Sequence, residues 1–148
     1  MRIRFMVIDG QGGKMGKLLI EQLKEMGFSI PILAVGTNSI ATSAMLKAGA
    51  DFGATGENAV VYNSKTAEII AGPLGILVAN ALFGEVTPAM AQAVGESSAR
   101  RILIPISKCN THVVGTDSVT VSQAVRLAAQ EIVSFFALQE APDSSQRI

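Results

Sequence analysis

Phe5-Met-Val-Ile-Asp-Gly-Gln-Gly-Gly-Lys-Met-Gly-Lys17 is the stretch whose reading decides the fold. An apolar run, Phe5 to Ile8, stops at Asp9, and four glycines follow within seven residues, at Gly10, Gly12, Gly13 and Gly16. Apolar residues then recur with helical spacing at Met15, Leu18, Leu19, Leu23 and Met26. Buried strand, glycine loop and helix, in that order, form the opening unit of an open α/β sheet. A loop of this kind presents backbone N–H groups and a helix N-terminus to an anion. The expected ligand contacts therefore begin with Asp9, Gly10, Gln11, Gly12, Gly13, Lys14, Met15 and Gly16.

The alternation continues outward from that unit. Residues 3–8 read as the first strand and about 13–26 as the first helix, closed by Gly27. A second apolar run spans 29–35, and Thr37, Asn38 or Ser39 caps the helix that follows, with Ile40, Ala44, Met45 and Ala48 inside. Residues 51–58 read as a glycine-bearing loop, 59–62 as a short strand and 67–71 as a further strand halted by Gly72-Pro73. The nearly unbroken apolar stretch 74–84 reads as a short buried helix, covered by a second subunit because it lacks a polar face. Thr87-Pro88 starts another helix, 101–106 is the next strand, and 111–114 offers a short extra one. Thr120 and Gln123 have capping-box spacing before a final helix with Val121, Val125, Ala128, Ile132 and Phe135 inside. Strands alternating with helices imply a three-layer, doubly wound, mainly parallel sheet of about five strands, Rossmann-like. One domain is expected over 1–140, with a flexible tail at 141–148.

Composition narrows the function classes. At 148 residues with 49% hydrophobic content, the chain buries a substantial core, and strands covered on both faces call for such sequence. Twelve basic residues balance twelve acidic ones without a block of either sign, which argues against nucleic-acid and membrane-surface roles. No apolar run reaches the ~18 to 20 residues that span a bilayer. A single cysteine and no signal-peptide core fit a reducing cytoplasm.

The loop matches two phosphate-binding patterns unequally. For a P-loop, Gly16-Lys17 supplies the second half, but the first glycine falls at Gln11 and the magnesium-holding hydroxyl at Leu18. An ATPase or GTPase of that type is disfavoured. The dinucleotide pattern fits better: Gly10-Gln-Gly12 directly follows the strand, with the third glycine one residue late at Gly16. Its second checkpoint, an acid or arginine about twenty residues on, meets only Thr37, Asn38 and Ser39. Those three can still hydrogen-bond a ribose or phosphate. The alternative, that the glycines only let a helix pack close to a strand, explains one or two of them more readily than four, since each costs roughly 0.5–1 kcal/mol relative to Ala. Three charge-assisted bonds to a phosphate, at roughly 1.5–3 kcal/mol each, barely exceed an association cost of at least ~4. A useful site thus needs a second grip, and residues 37–39 are its natural place.

Right-handed crossovers bring residues 9–16, 36–39, 72–75 and 107–110 to one edge of the sheet. Lys108 beside Cys109 is a pairing that lowers a thiol's pKa, although a lone cysteine is ordinarily an inert small hydrophobe. Asp9 either orients a sugar hydroxyl or caps the loop's own N–H groups. Asp9, Lys108 and Cys109 are the candidates for catalysis. Cys109 and His112 have the spacing of half a zinc site with no second half, so no metal is expected. Glu57, Asn58, Asn80 and Glu85 are polar groups that either cover a ligand or lie on plain surface.

Two functions follow. One is a nucleotide-binding module, sensory or regulatory, taking NAD(P) or another adenine nucleotide with its phosphate at Gly10–Gly16. The other is a small enzyme on a phosphorylated metabolite, with Lys108 and Cys109 at the active edge. In both the partner is a phosphate-bearing small molecule, and the apolar segment 74–84 predicts a homo-oligomer.

The opening Val-Ile-Asp-Gly-Gln-Gly-Gly, with Gly-Thr-Asn-Ser-Ile-Ala-Thr-Ser-Ala-Met-Leu-Lys-Ala-Gly-Ala at 36–50 and Ala-Thr-Gly-Glu-Asn-Ala at 54–59, resembles a small bacterial family known as a domain of unknown function. The resemblance covers nearly the whole chain. It implies a Rossmann-like domain from an anaerobe-type bacterium and carries no activity with it.

Overall fold

A computed structural model describes residues 2–105 and 110–140. Its strands are β1 (Phe5–Asp9), β2 (Ile32–Gly36), β3 (Phe52–Thr55), β4 (Ile69–Pro73) and β5 (Arg100–Ile104). They form one sheet in the order β3-β2-β1-β4-β5, every neighbouring pair parallel. Val7 at the centre pairs with Ala34 on one side and Ala71 on the other. The helices are α1 (Lys14–Glu25), α2 (Ser39–Ala48), α3 (Glu57–Ser64), α4 (Pro88–Glu96) and α5 (Val121–Glu140), with a 3-10 turn at Leu74–Leu77.

Side-chain alternation along the strands builds two cores, one on each face of the sheet. Phe5 and Val7 point to a core shared with Leu19, Ile20 and Leu23 of α1, Met45 of α2, and Val125, Ala129, Ile132 and Phe136 of α5. Met6 and Ile8 point to the opposite core, with Val60 of α3, Ile76, Leu82, Val86, and Met90 and Val94 of α4. Because both faces of β1, β2 and β4 are covered, every residue of those strands is buried. This is the reason for the high apolar content. The strand order reverses between β1 and β4, whose crossovers run on opposite faces, and that is where such folds open a crevice.

Most element boundaries agree with the sequence, but several expectations are corrected. In α2 the buried residues are Ala41, Thr42 and Met45, while Ile40, expected inside, is 70% exposed. Residues 59–62 lie in helix α3, not a strand, since Val60 is buried in the second core and α3 packs on α4. The expected loop at 51–58 contains β3, because the exposed side of β2 needs a hydrogen-bonding neighbour. Gly53 fits there because a Cβ would lie 2.8 Å from a Leu46 methyl carbon. Residues 111–114 form no strand. The inner stripe of α5 runs through Ala124, Val125, Ala128, Ala129, Ile132 and Phe136, leaving Val121 exposed and Phe135 half-buried.

The apolar segment 74–84 is covered mainly by its own chain: Ile76, Ala81 and Leu82 enter the second core, while Phe83 is fully exposed at the tip. Ile106, Ser107, Lys108 and Cys109, and the expected tail at 141–148, lie outside the described residues. Among the described residues, no helix is long and apolar enough to cross a membrane.

Candidate functional site

Helix α1 begins without a side-chain cap of its own: its N-cap, Gly13, is left-handed with φ 72°. The cap comes instead from the end of β1. Asp9 is buried, its Oδ1 accepting the Gly10 N–H at 2.8 Å and its Oδ2 the Gly16 N–H at 2.8 Å. A turn closes between them through the Gly13 N–H and the Gly10 carbonyl at 2.9 Å. Gln11 occupies that turn with φ 48°, a left-handed conformation unusual outside glycine. Both sides of its backbone are held: the N–H donates to Glu85 Oε1 at 3.0 Å, and the carbonyl accepts from Asn38 Nδ2 at 2.9 Å. The Gly12 and Lys14 N–H groups donate to no acceptor among the described residues.

Glu85 arrives from the connection between β4 and α4 and settles over the end of β2. Besides the Gln11 N–H, its Oε1 accepts from Thr37 Oγ1 at 2.8 Å and Asn38 Nδ2 at 2.6 Å. Asn38 also caps α2, its Oδ1 accepting the Ala41 N–H at 2.9 Å. Partial burial pushes the Glu85 carboxyl up, but the bonds from Asn38, Gln11 and Thr37 outweigh it and the net shift is downward. Asp9 shifts the other way. Desolvation raises it, only partly offset by the N–H groups of Gly16, Gly10 and Met15, and the nearby Glu85 charge adds to the rise.

The four glycines now separate by cause. A Cβ on Gly10 would lie 2.6 Å from Thr37 Oγ1 and 2.7 Å from a Leu82 methyl. On Gly13 it would meet the Ala41 carbonyl oxygen at 2.8 Å, and on Gly16 the Met45 sulfur at 2.3 Å. These three are explained by packing. Gly12 is not: nothing lies within 4 Å of its would-be Cβ, its φ is outside the left-handed region, and it is exposed.

Gly12 borders a cavity of about 350 Å³ at the reversal between β1 and β4, lined by the loop from Asp9 to Met15 with Pro73, Gly75, Leu82 and Val121. Sequence reasoning anticipated the loop and the approach of residues 72–75, but not Leu82 or Val121. Thr37 and Asn38 join the loop through Glu85, whereas Ser39 is the exposed first residue of α2 and stands apart. Glu85 was legible only as one polar group among four. The signal that singles it out is the missing acid after β2, which leaves Thr37 and Asn38 as donors in search of a carboxylate. Glu57 and Asn58 occupy the first turn of α3. His112 is exposed, its Nε2 3.3 Å from Asp117 Oδ1. Lys108 and Cys109 lie outside the described residues.

The fold and loop define a doubly wound α/β domain of Rossmann type, with a glycine-lined cavity at the strand-order reversal. The chain belongs to the family described as Domain of unknown function (DUF3842), whose model matches residues 4–137. Among solved structures it is similar to a dodecameric FMN-dependent Ubix-like decarboxylase from Escherichia coli O157:H7, at 16% identity over 89% of this chain and 94% of that one, with a TM-score of 0.48. No curated protein matches the sequence.

Proposed function

We propose that the domain binds a nucleotide or dinucleotide with its phosphate over Gly12 and Lys14, as a binding module rather than a self-sufficient enzyme. The observation that carries this reading is Gly12, a glycine without a packing or backbone reason beside a cavity and two unused N–H donors. Absence of a side chain there lets a phosphate approach the backbone closely.

Magnitudes bound the affinity. Two charge-assisted bonds supply about 3–6 kcal/mol, and a helix N-terminus adds up to about 2. Asp9 already sits at that helix end and reduces the second contribution. Against an association cost of at least ~4 kcal/mol, the phosphate contacts alone give weak binding, so sugar and base contacts must supply the rest. A cavity of about 350 Å³ lies at the small end of the range for ligand sites and accommodates one nucleoside half.

Thermal unfolding with NAD⁺, NADP⁺, ATP and sugar phosphates is the test. Saturation to about 100 times the dissociation constant adds about 2.7 kcal/mol, which raises Tm by roughly 5–11 °C at this chain length. A rise with adenine nucleotides supports the module. A response to sugar phosphates alone, abolished by Lys108→Ala or Cys109→Ala, favours the enzyme, and no response to any of them returns the loop to a structural role.

A further inference from the structure

We propose that Glu85 selects the sugar of the ligand, its carboxylate accepting the hydroxyl of an unphosphorylated ribose laid over the end of β2, so that the preferred guest is a dinucleotide of the NAD⁺ type. This rests on the phosphate reading of the glycine loop and narrows it.

The dinucleotide pattern requires an acid at the end of the second strand to receive a ribose 2′-hydroxyl. Residues 37–39 provide none. The carboxylate that lands on Thr37 and Asn38 comes from forty-odd residues further on, as Glu85. Its two oxygens are used differently. Oε1 accepts from Gln11, Thr37 and Asn38, which fixes the carboxylate plane. Oε2 has no donor among the described residues, and the side chain is only half-buried. A held acceptor with one free oxygen suits a neutral hydroxyl donor and repels a phosphate.

The segment that carries Glu85 is built to keep it there. Asn80, Leu82 and Phe83 all take left-handed φ values of 66°, 58° and 56°. The segment is closed by hydrogen bonds from the Asn80 N–H to Val86, from Gly84 to Asn80 and from Val86 to Ala81. Backbone held in such conformations clusters where a fold must aim a particular group. The layout also fits a two-part ligand. Gln11 is bonded to Glu85 and also lines the cavity at β4. A dinucleotide crossing at Gly12 therefore reaches Glu85 with one ribose and the cavity with its other half.

Calorimetric titration of the full chain with NAD⁺, NADP⁺ and AMP, on wild type and on Glu85→Gln, tests the assignment. Gln keeps an oxygen for Gln11, Thr37 and Asn38 but turns the free position from acceptor to donor. The wild type is expected to bind NAD⁺ at least ~10-fold more tightly than NADP⁺, the factor expected for one hydrogen-bonded discrimination. Glu85→Gln, as long as it still unfolds cooperatively, is expected to bring that ratio near one. Where Glu85→Gln fails to fold, Glu85→Asp, whose carboxylate is one methylene short, is expected to reduce the ratio instead. Equal binding of the two dinucleotides, a preference for NADP⁺, or a ratio untouched by the variants overturns the role of Glu85 while leaving the phosphate site standing. Binding of none of the three ligands by the wild type overturns both.

Discussion

A methyl placed on Gly13 meets the Ala41 carbonyl oxygen at 2.8 Å, on a residue whose φ is +72°. Backbone cannot move aside, and the left-handed conformation alone costs an alanine roughly 1–2 kcal/mol. Gly16→Ala meets the Met45 sulfur at 2.3 Å, but a methionine end is flexible. We expect Gly13→Ala to destabilise by at least ~2 kcal/mol and Gly16→Ala by about 1–3, measured by urea unfolding; a neutral Gly13→Ala would contradict the geometry. The two carboxylates beside them act on stability with opposite sign. Glu85 is shifted below its ordinary value of 4.5, so its contribution is present above that pH and lost as pH falls through the folded value. Asp9 is shifted above 3.8, so its contribution is present below that pH and lost as pH rises through its folded value. The stability difference between wild type and Glu85→Gln should therefore rise with pH up to about 4.5 and level off above it. A difference that falls over that range would contradict the Glu85 hydrogen bonds. At this scale the sequence marked the run of glycines after β1 but not how its N–H groups are shared. The use of the Gln11 N–H depends on a carboxylate 74 positions away, which no local pattern encodes.

Elements with strong end signals were legible. Thr87 caps α4 through the Met90 N–H at 3.2 Å with Pro88 beside it, and the Thr120–Gln123 box forms in both directions, at 2.9 and 3.1 Å. Elements decided by packing were not. The run Ala59-Val-Val-Tyr62 has strand-like residues, yet becomes helix α3 because burying Val60 against α4 outweighs local propensity. Residues 74–84 read as a short apolar helix, but only Leu74–Leu77 form a helical turn, and the rest is a hydrogen-bonded loop with three left-handed non-glycine residues. Phe83, fully exposed there, contributes no packing to repay its conformation. Phe83→Asn is expected to stabilise by about 1 kcal/mol, because Asn adopts the left-handed region more readily. A fall in Tm for Phe83→Asn would show that Phe83 is held by a contact outside this chain.

For the whole molecule, the doubly wound order was readable because the sequence alternates strand, helix and glycine turn, and right-handed crossovers leave few topologies. A homo-oligomer is expected through a different surface from segment 74–84. Segment 74–84 is mostly covered within the chain, whereas Leu127 and Leu138 on α5 are exposed, beside a groove lined also by Ile102 and Leu103 of β5. Light scattering is expected to give at least twice the 15.4 kDa chain mass, with Leu127→Glu plus Leu138→Glu returning it to one; a monomeric wild type would remove the proposal.

The most direct test of the account compares Gly12→Ala with wild type in thermal unfolding, with and without NAD⁺. With open space around Gly12 and no left-handed φ, the variant without ligand should match wild type within about 0.5 kcal/mol, while the NAD⁺-induced rise in Tm disappears. An unliganded variant as destabilised as Gly13→Ala, or an NAD⁺ response equal to that of wild type, would contradict the claim that this glycine is kept for a guest.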